Sequence, residues 1–162
     1  MSHEVKLGQR EATLVVSKRY PVRLSQIGGV LGAAFGEVYG HLGSRGAATV
    51  GPPFVIYYRA PEGDLPFDVE VCAPIARPVE PPPGWEVKEL PAGTFATTLH
   101  VGSYDSIGTA YESITAWIGE HELTIAGPPR EVYLSAPTVP PEQTRTIVEF
   151  PVAPLPATVP AR

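Results

Sequence analysis

The chain is short of cysteine, of basic charge and of long apolar runs, and each shortage removes a class of protein. Cys72 is its one cysteine, so no intramolecular disulfide can form and a cysteine-rich metal site is out of reach. Lys and Arg total 12 against 17 Asp and Glu, for a net charge of −5. That is the wrong sign for a face that binds a phosphate backbone. No apolar run approaches the ~18 residues that cross a bilayer, and the opening Met-Ser-His-Glu-Val-Lys lacks the parts of a secretory signal. The four histidines, His3, His41, His100 and His121, have no metal-ligand spacing. There is no nucleophile elbow, phosphate loop or dinucleotide fingerprint; Gly43 to Gly46 reads as the loop that ends a helix. The expectation is a soluble, cytoplasmic protein without metal or cofactor, without membrane contact and without direct DNA binding.

What the chain does have is proline: 20 in 162 residues. None falls inside two long segments with helical periodicity. The first runs from about Leu24 to Leu42, with Ile27, Leu31, Ala34, Phe35, Val38 and Leu42 on one face. The second runs from about Tyr104 to Glu120, with Ile107, Ala110, Tyr111, Ile114, Trp117 and Ile118 on its face and Ser103 as N-cap. Strand character marks Ala12–Lys18, Phe54–Arg59, Phe67–Ile75, Thr94–Val101, Glu131–Ser135 and Arg145–Phe150. The first helix holds Gly28, Gly29, Gly32 and Gly36. Each interior glycine costs ~1 kcal/mol against alanine, so close packing or tolerated strain is expected to offset it.

The order strand-helix-strand-strand occurs twice because the sequence does. Gly51-Pro52-Pro53 recurs as Gly127-Pro128-Pro129, an offset of 76 from position 51 to position 127. At that offset Tyr57 falls on Tyr133 and Ala60-Pro61 on Ala136-Pro137, while Leu31, Ala34, Phe35, Val38 and Leu42 fall on Ile107, Ala110, Tyr111, Ile114 and Ile118. The register of the helix face makes this a duplication. The fold class that follows is α+β: a duplicated strand-helix-strand-strand module forming one antiparallel sheet with two helices on one face. The expected organisation is an N-terminal extension over residues 1–10, a single domain over 11–153 and a flexible tail over 154–162. Its halves are about 11–77 and 84–153, joined by proline-rich 78–83.

Alternation along strands divides residues between sheet faces. Val132 and Leu134 are assigned to the helix side, which leaves Glu131, Tyr133 and Ser135 on the other face. The offset of 76 adds Val55, Tyr57 and Arg59 to that face. Two symmetry-related tyrosines and one carboxylate then line a groove, an arrangement suited to an aromatic cation.

The run His100-x-Gly102-x-Tyr104, the helix ending in Trp117-Ile118, then Gly127-Pro128-Pro129-x-Glu131-x-Tyr133 and Phe150-Pro151-Val152 resembles the GyrI-like small-molecule-binding domain. The likeness covers residues 11 to 153 and is more specific in the second half. That family includes the effector domains of multidrug-sensing and AraC-type transcription regulators. The resemblance implies a ligand groove at the pseudo-twofold axis with an acidic residue at Glu131, where cationic aromatic molecules meet the carboxylate and stack on tyrosines. It also implies two alternatives: hydrolysis of cyclopropane-containing DNA-alkylating natural products, and inhibition of gyrase. Only about ten residues precede the first expected strand, too few for a DNA-binding helix-turn-helix. A standalone member is expected, with a separate regulator or gyrase as possible partner.

The expected ligand-binding residues are Glu131, Tyr133, Tyr57, Val55, Arg59, Trp85 and Tyr104. In the enzyme reading Glu131 acts as general base on a water, and Tyr133 and Tyr57 supply hydrogen bonds to the developing oxyanion. Trp85 is either a lid over the groove or packing for the crossover. Cys72, Trp117 and Tyr111 are assigned to packing, and Glu70 and Glu149 to solvated positions.

Overall fold

A computed structural model describes residues 3–136 and 138–156. Eight antiparallel strands form one curled sheet in the order β1-β6-β9-β8-β3-β4-β2-β5, and β7 adds to β9 beside that path. The first half supplies β1 (Val5–Arg10), β2 (Thr13–Val22), α1 (Ile27–Ser44), β3 (Phe54–Tyr57) and β4 (Phe67–Pro74). The second supplies β5 (Glu86–Leu90), β6 (Gly93–Val101), α2 (Gly108–Glu120), β7 (Leu123–Ile125), β8 (Arg130–Tyr133) and β9 (Arg145–Pro154). Among the described residues no helix is long and apolar enough to cross a membrane.

The duplication is visible at the centre of the sheet, where β3 and β8 pair with Val55 opposite Glu131. The Tyr57 amide donates to the Pro129 carbonyl at 2.9 Å and the Tyr133 amide to the Pro53 carbonyl at 3.0 Å, so the two Gly-Pro-Pro segments exchange equivalent hydrogen bonds. Their glycines serve different needs. Gly51 sits at φ +67°, a conformation that β-carbons disfavour. A β-carbon at Gly127 would lie 3.1 Å from Pro151 Cγ, so there the need is close approach.

Three strands lay outside the expected set: β1, β5 and β7. Residues 1–10 are not the extension outside the domain that the sequence suggests: Val5–Arg10 form β1 and pair with β6 of the second half. In return, β5 of the second half pairs with β2 of the first. One register runs through both ladders: Val5 lies opposite Thr98, Arg10 opposite Gly93, Thr13 opposite Leu90 and Ser17 opposite Glu86. Such strands carry little local signal, because their stability comes from partners about 80 residues away rather than from neighbours. Pro154 belongs to β9, opposite Leu123; of the expected tail, residues 157–162 lie outside the described residues.

Ala34, Val38 and Leu42 of α1 are buried against β2 and β4, and their repeat partners Ala110, Ile114 and Ile118 of α2 against β6 and β9. A third core fills the opposite face, where the curled sheet closes over Val15, Phe54, Ile56, Cys72 and Val132. Glu70 and Glu149, expected in solvent, are 2% exposed there. Glu70 accepts from Ser17 Oγ at 2.7 Å, Tyr58 Oη at 2.5 Å and Lys88 Nζ at 2.6 Å. Glu149 accepts from Arg10 Nη2 at 2.5 Å and Arg130 Nε at 2.9 Å.

Candidate functional site

Between the two helices, over the β3–β8 ladder, lies a cavity of about 1400 Å3. Its floor is made by side chains that alternate up from the central strands: Tyr57 from β3, and Glu131 and Tyr133 from β8. One wall is α1, through Ile27, Leu31, Phe35 and Tyr39; the other is Tyr104, Ile107 and Tyr111 from the 3-10 turn and α2. Ser103 caps that turn by accepting the Asp105 amide at 3.1 Å, which fixes where the chain enters α2.

These residues share a face, as alternation predicts, but the face is the one that carries the helices. Val55 and Tyr57 join the core beneath α1 with Val69 and Val71, while Val132 joins Phe54 and Ile56 on the far side. The expected assignment of Val132 to the helix side is therefore reversed, and Leu134 is exposed. The physical reason is the third core. Both faces of β3 and β8 are interior, so hydrophobicity alone does not tell which face the helices cover.

Glu131 is 7% exposed. Its Oε1 accepts from Tyr133 Oη at 3.1 Å and Tyr57 Oη at 3.3 Å, and its Oε2 accepts from Tyr111 Oη at 2.6 Å. The Tyr57 and Tyr133 hydroxyl oxygens lie 2.8 Å apart; each phenol has one proton, so the one that donates to its neighbour does not at the same moment donate to Glu131. Within the described residues no cation pairs with this carboxylate. Burial pushes the Glu131 carboxyl above its ordinary range, against the opposing pull of the three hydroxyls and of nearby His100. Burial and the Glu131 charge together raise the phenols of Tyr57, Tyr111 and Tyr133, so all three stay protonated donors. The tyrosine rings form edge-to-face pairs: Tyr104 with Tyr133 at 6.0 Å, Phe35 with Tyr133 at 6.1 Å, and Tyr111 with Phe150 at 5.9 Å. The result is an anionic centre with aromatic surfaces around it and no salt-bridged cation among the described residues.

Of the expected site residues, Glu131, Tyr133 and Tyr57 converge at the floor, and Tyr104 stands at the rim, 52% exposed. Arg59 lines the cavity from an exposed position. Val55 is fully buried and does not reach the cavity surface. Trp85 is neither lid nor wall. It is 6% exposed in the first-half core, edge-on to Tyr20 at 6.3 Å, with its indole N–H donating to Glu37 at 2.5 Å. Tyr111 is the residue that sequence reading missed. Its place on the apolar face of α2 suggested packing, but the phenol at the position equivalent to Phe35 was the available signal.

The sequence profile of the GyrI-like small molecule binding domain matches residues 3–153. No curated protein matches the chain in sequence. In structure the chain is similar to the EcmrR C-terminal domain, at 22% identity, TM-score 0.81, and coverage of 96% of this chain and 100% of that one. It is also similar to SAV2435 bound to tetraphenylphosphonium, at 16% identity, TM-score 0.67, and coverage of 93% and 94%. A hydrolase from Listeria innocua superposes at 12% identity with TM-score 0.65, covering 94% and 93%.

Proposed function

Starting from the fact that this chain belongs to the GyrI-like small molecule binding domain family, we propose that its central cavity binds aromatic cations, as a sensing or sequestering module. The observation that carries the reading is Glu131: a buried carboxylate that lines a large cavity, hydrogen-bonded by three phenols and paired with no cation among the described residues. A charge in such surroundings gains most from a partner that enters with its own charge and loses little hydration on the way. Tyrosine faces add cation–π attraction of ~0.5–2 kcal/mol. The tetraphenylphosphonium bound by SAV2435 is a cation of this kind, held by a protein of the same fold.

Thermal denaturation with tetraphenylphosphonium and a panel of cationic dyes tests the reading on wild type and Glu131→Gln. Stabilisation of wild type and much less of the variant is expected. No stabilisation of wild type, or equal stabilisation of both, rejects it.

A hydrolytic reading uses the same residues. The raised carboxyl of Glu131 suits a general base, and the Tyr57–Tyr133 pair offers a donor beside it. Incubation with a cyclopropane-bearing alkylator, followed by mass spectrometry, tests this directly. Substrate left unchanged at high protein concentration rejects it.

A further inference from the structure

The repeat that builds the fold breaks at its own centre. Val55 and Glu131 are opposed partners in the β3–β8 ladder and equivalent positions of the two halves. One half therefore brings a carboxylate to the pseudo-twofold axis and the other brings hydrocarbon. The break continues outward: Tyr111, which donates to Glu131 from α2, has Phe35 as its counterpart on α1, and Tyr104 has Gly28. Ile27, Leu31 and Phe35 make the α1 wall mostly apolar, with the Tyr39 hydroxyl as its one polar side-chain group and no carboxylate. Among the described residues the other charged side chain that lines the cavity is Arg59, itself a cation. Among the described residues the cavity thus offers one anionic centre, met from the α2 side by the Tyr111 hydroxyl, and no second carboxylate for another positive charge.

The carboxylate is also largely occupied. An ionised carboxylate has about four lone-pair positions. The Tyr133 and Tyr57 oxygens flank Oε1 at 3.1 and 3.3 Å, and Tyr111 takes one position on Oε2 at 2.6 Å. A guanidinium, which grips both oxygens as a fork, finds no fork to grip. A primary ammonium carries three N–H donors, and beyond the one position left on Oε2 two of them meet only hydrocarbon and phenol oxygens, which are weaker acceptors than a carboxylate. A tertiary ammonium needs one acceptor; a quaternary ammonium or phosphonium needs none.

We infer that the cavity selects monocations presenting at most one N–H donor, with the charged centre over Glu131 on the α2 side and the apolar body against α1. This rests on the cation-binding reading of the same cavity and narrows it.

Isothermal titration calorimetry of the full chain at neutral pH tests it with three salts sharing an anthracenylmethyl body: a trimethylammonium, the matching primary ammonium, and the bis(trimethylammonium) with a head on each side of the rings. Tetraphenylphosphonium is the control. The trimethylammonium salt is expected to bind roughly tenfold or more tighter than either of the others. Tyr111→Phe frees a second position on Oε2 and is expected to narrow the gap between quaternary and primary salts. If the control and all three salts fail to bind, the cation reading itself falls. If the control binds but the three salts bind within about threefold of one another, or a primary or double head binds best, the cation reading stands and this selectivity is overturned. A quaternary-to-primary ratio unchanged in Tyr111→Phe also overturns it.

Discussion

Replacing Glu131 by glutamine keeps an acceptor for the tyrosine hydroxyls and removes a charge that burial penalises. A carboxyl whose folded pKa is raised binds more protons in the native state than in the unfolded state, so stability falls as pH rises from the ordinary value of 4.5 through the raised one. Glu131→Gln is therefore expected to be more stable than wild type at neutral pH by about 1–2 kcal/mol, with the gap closing in acid. Urea titrations at several pH values measure this, and a variant less stable at neutral pH would contradict it. On the cation-binding proposal, affinity is expected to have the opposite pH dependence, weakening as pH drops through the same window. Glu70 behaves differently. Burial works to raise its pKa, but Lys88, Tyr58 and Ser17 outweigh it and hold the carboxyl below its ordinary range. That stability is present above the unfolded pKa and is lost as pH falls through the folded one. Lys88→Met leaves Glu70 buried without its cation and is expected to cost about 2 kcal/mol at neutral pH, less than a wholly buried pair because Lys88 is partly solvated. The destabilisation should shrink in acid; a pH-independent loss would point to packing instead.

Helix α1 carries glycines that nothing in the fold explains. A β-carbon at Gly32, Gly36 or Gly40 would meet no atom within 4 Å, so the close packing expected from the sequence is absent. All three backbones are helical, so alanine there reduces unfolded-state entropy without strain. Each substitution is expected to stabilise the protein by about 0.5–1 kcal/mol, near-additively, as read from chemical denaturation midpoints. A destabilising Gly→Ala at any of these positions would reveal a close neighbour on that helix face. The existence of α1 and α2 was legible in the sequence because a 3.6-residue period survives even a glycine-rich helix. The placement of Leu31, Phe35, Ile107 and Tyr111 was not. They lie on the same helical stripe as the core residues, but at its margin, where they line the cavity.

In the whole molecule the two halves are tied by exchanged strands. β1 covers one side of β6, and Arg10 at its end reaches Glu149 beneath the sheet. Removing residues 1–10 would strip β6 of one of its two partners, making it an edge strand, and leave Glu149 with Arg130 alone. The truncated chain is expected to lose about 3 kcal/mol or more and to self-associate through the bared strand, measurable by thermal unfolding and light scattering. A truncated chain that remained monomeric at unchanged stability would show β1 to be dispensable.

By itself the sequence determined the duplication, the helices and the convergence of Glu131, Tyr57 and Tyr133, because periodicity and a fixed offset are local properties that survive without a partner. Only the tertiary structure decided which sheet face takes the helices, since a curled sheet buries both faces and hydrophobic alternation is then silent. It also decided the pairing of β1 and β5, the burial of Trp85, Glu70 and Glu149, and the entry of Tyr111 into the site. Each of these depends on a contact between distant segments, and a strand or side chain carries no mark of the partner it will meet.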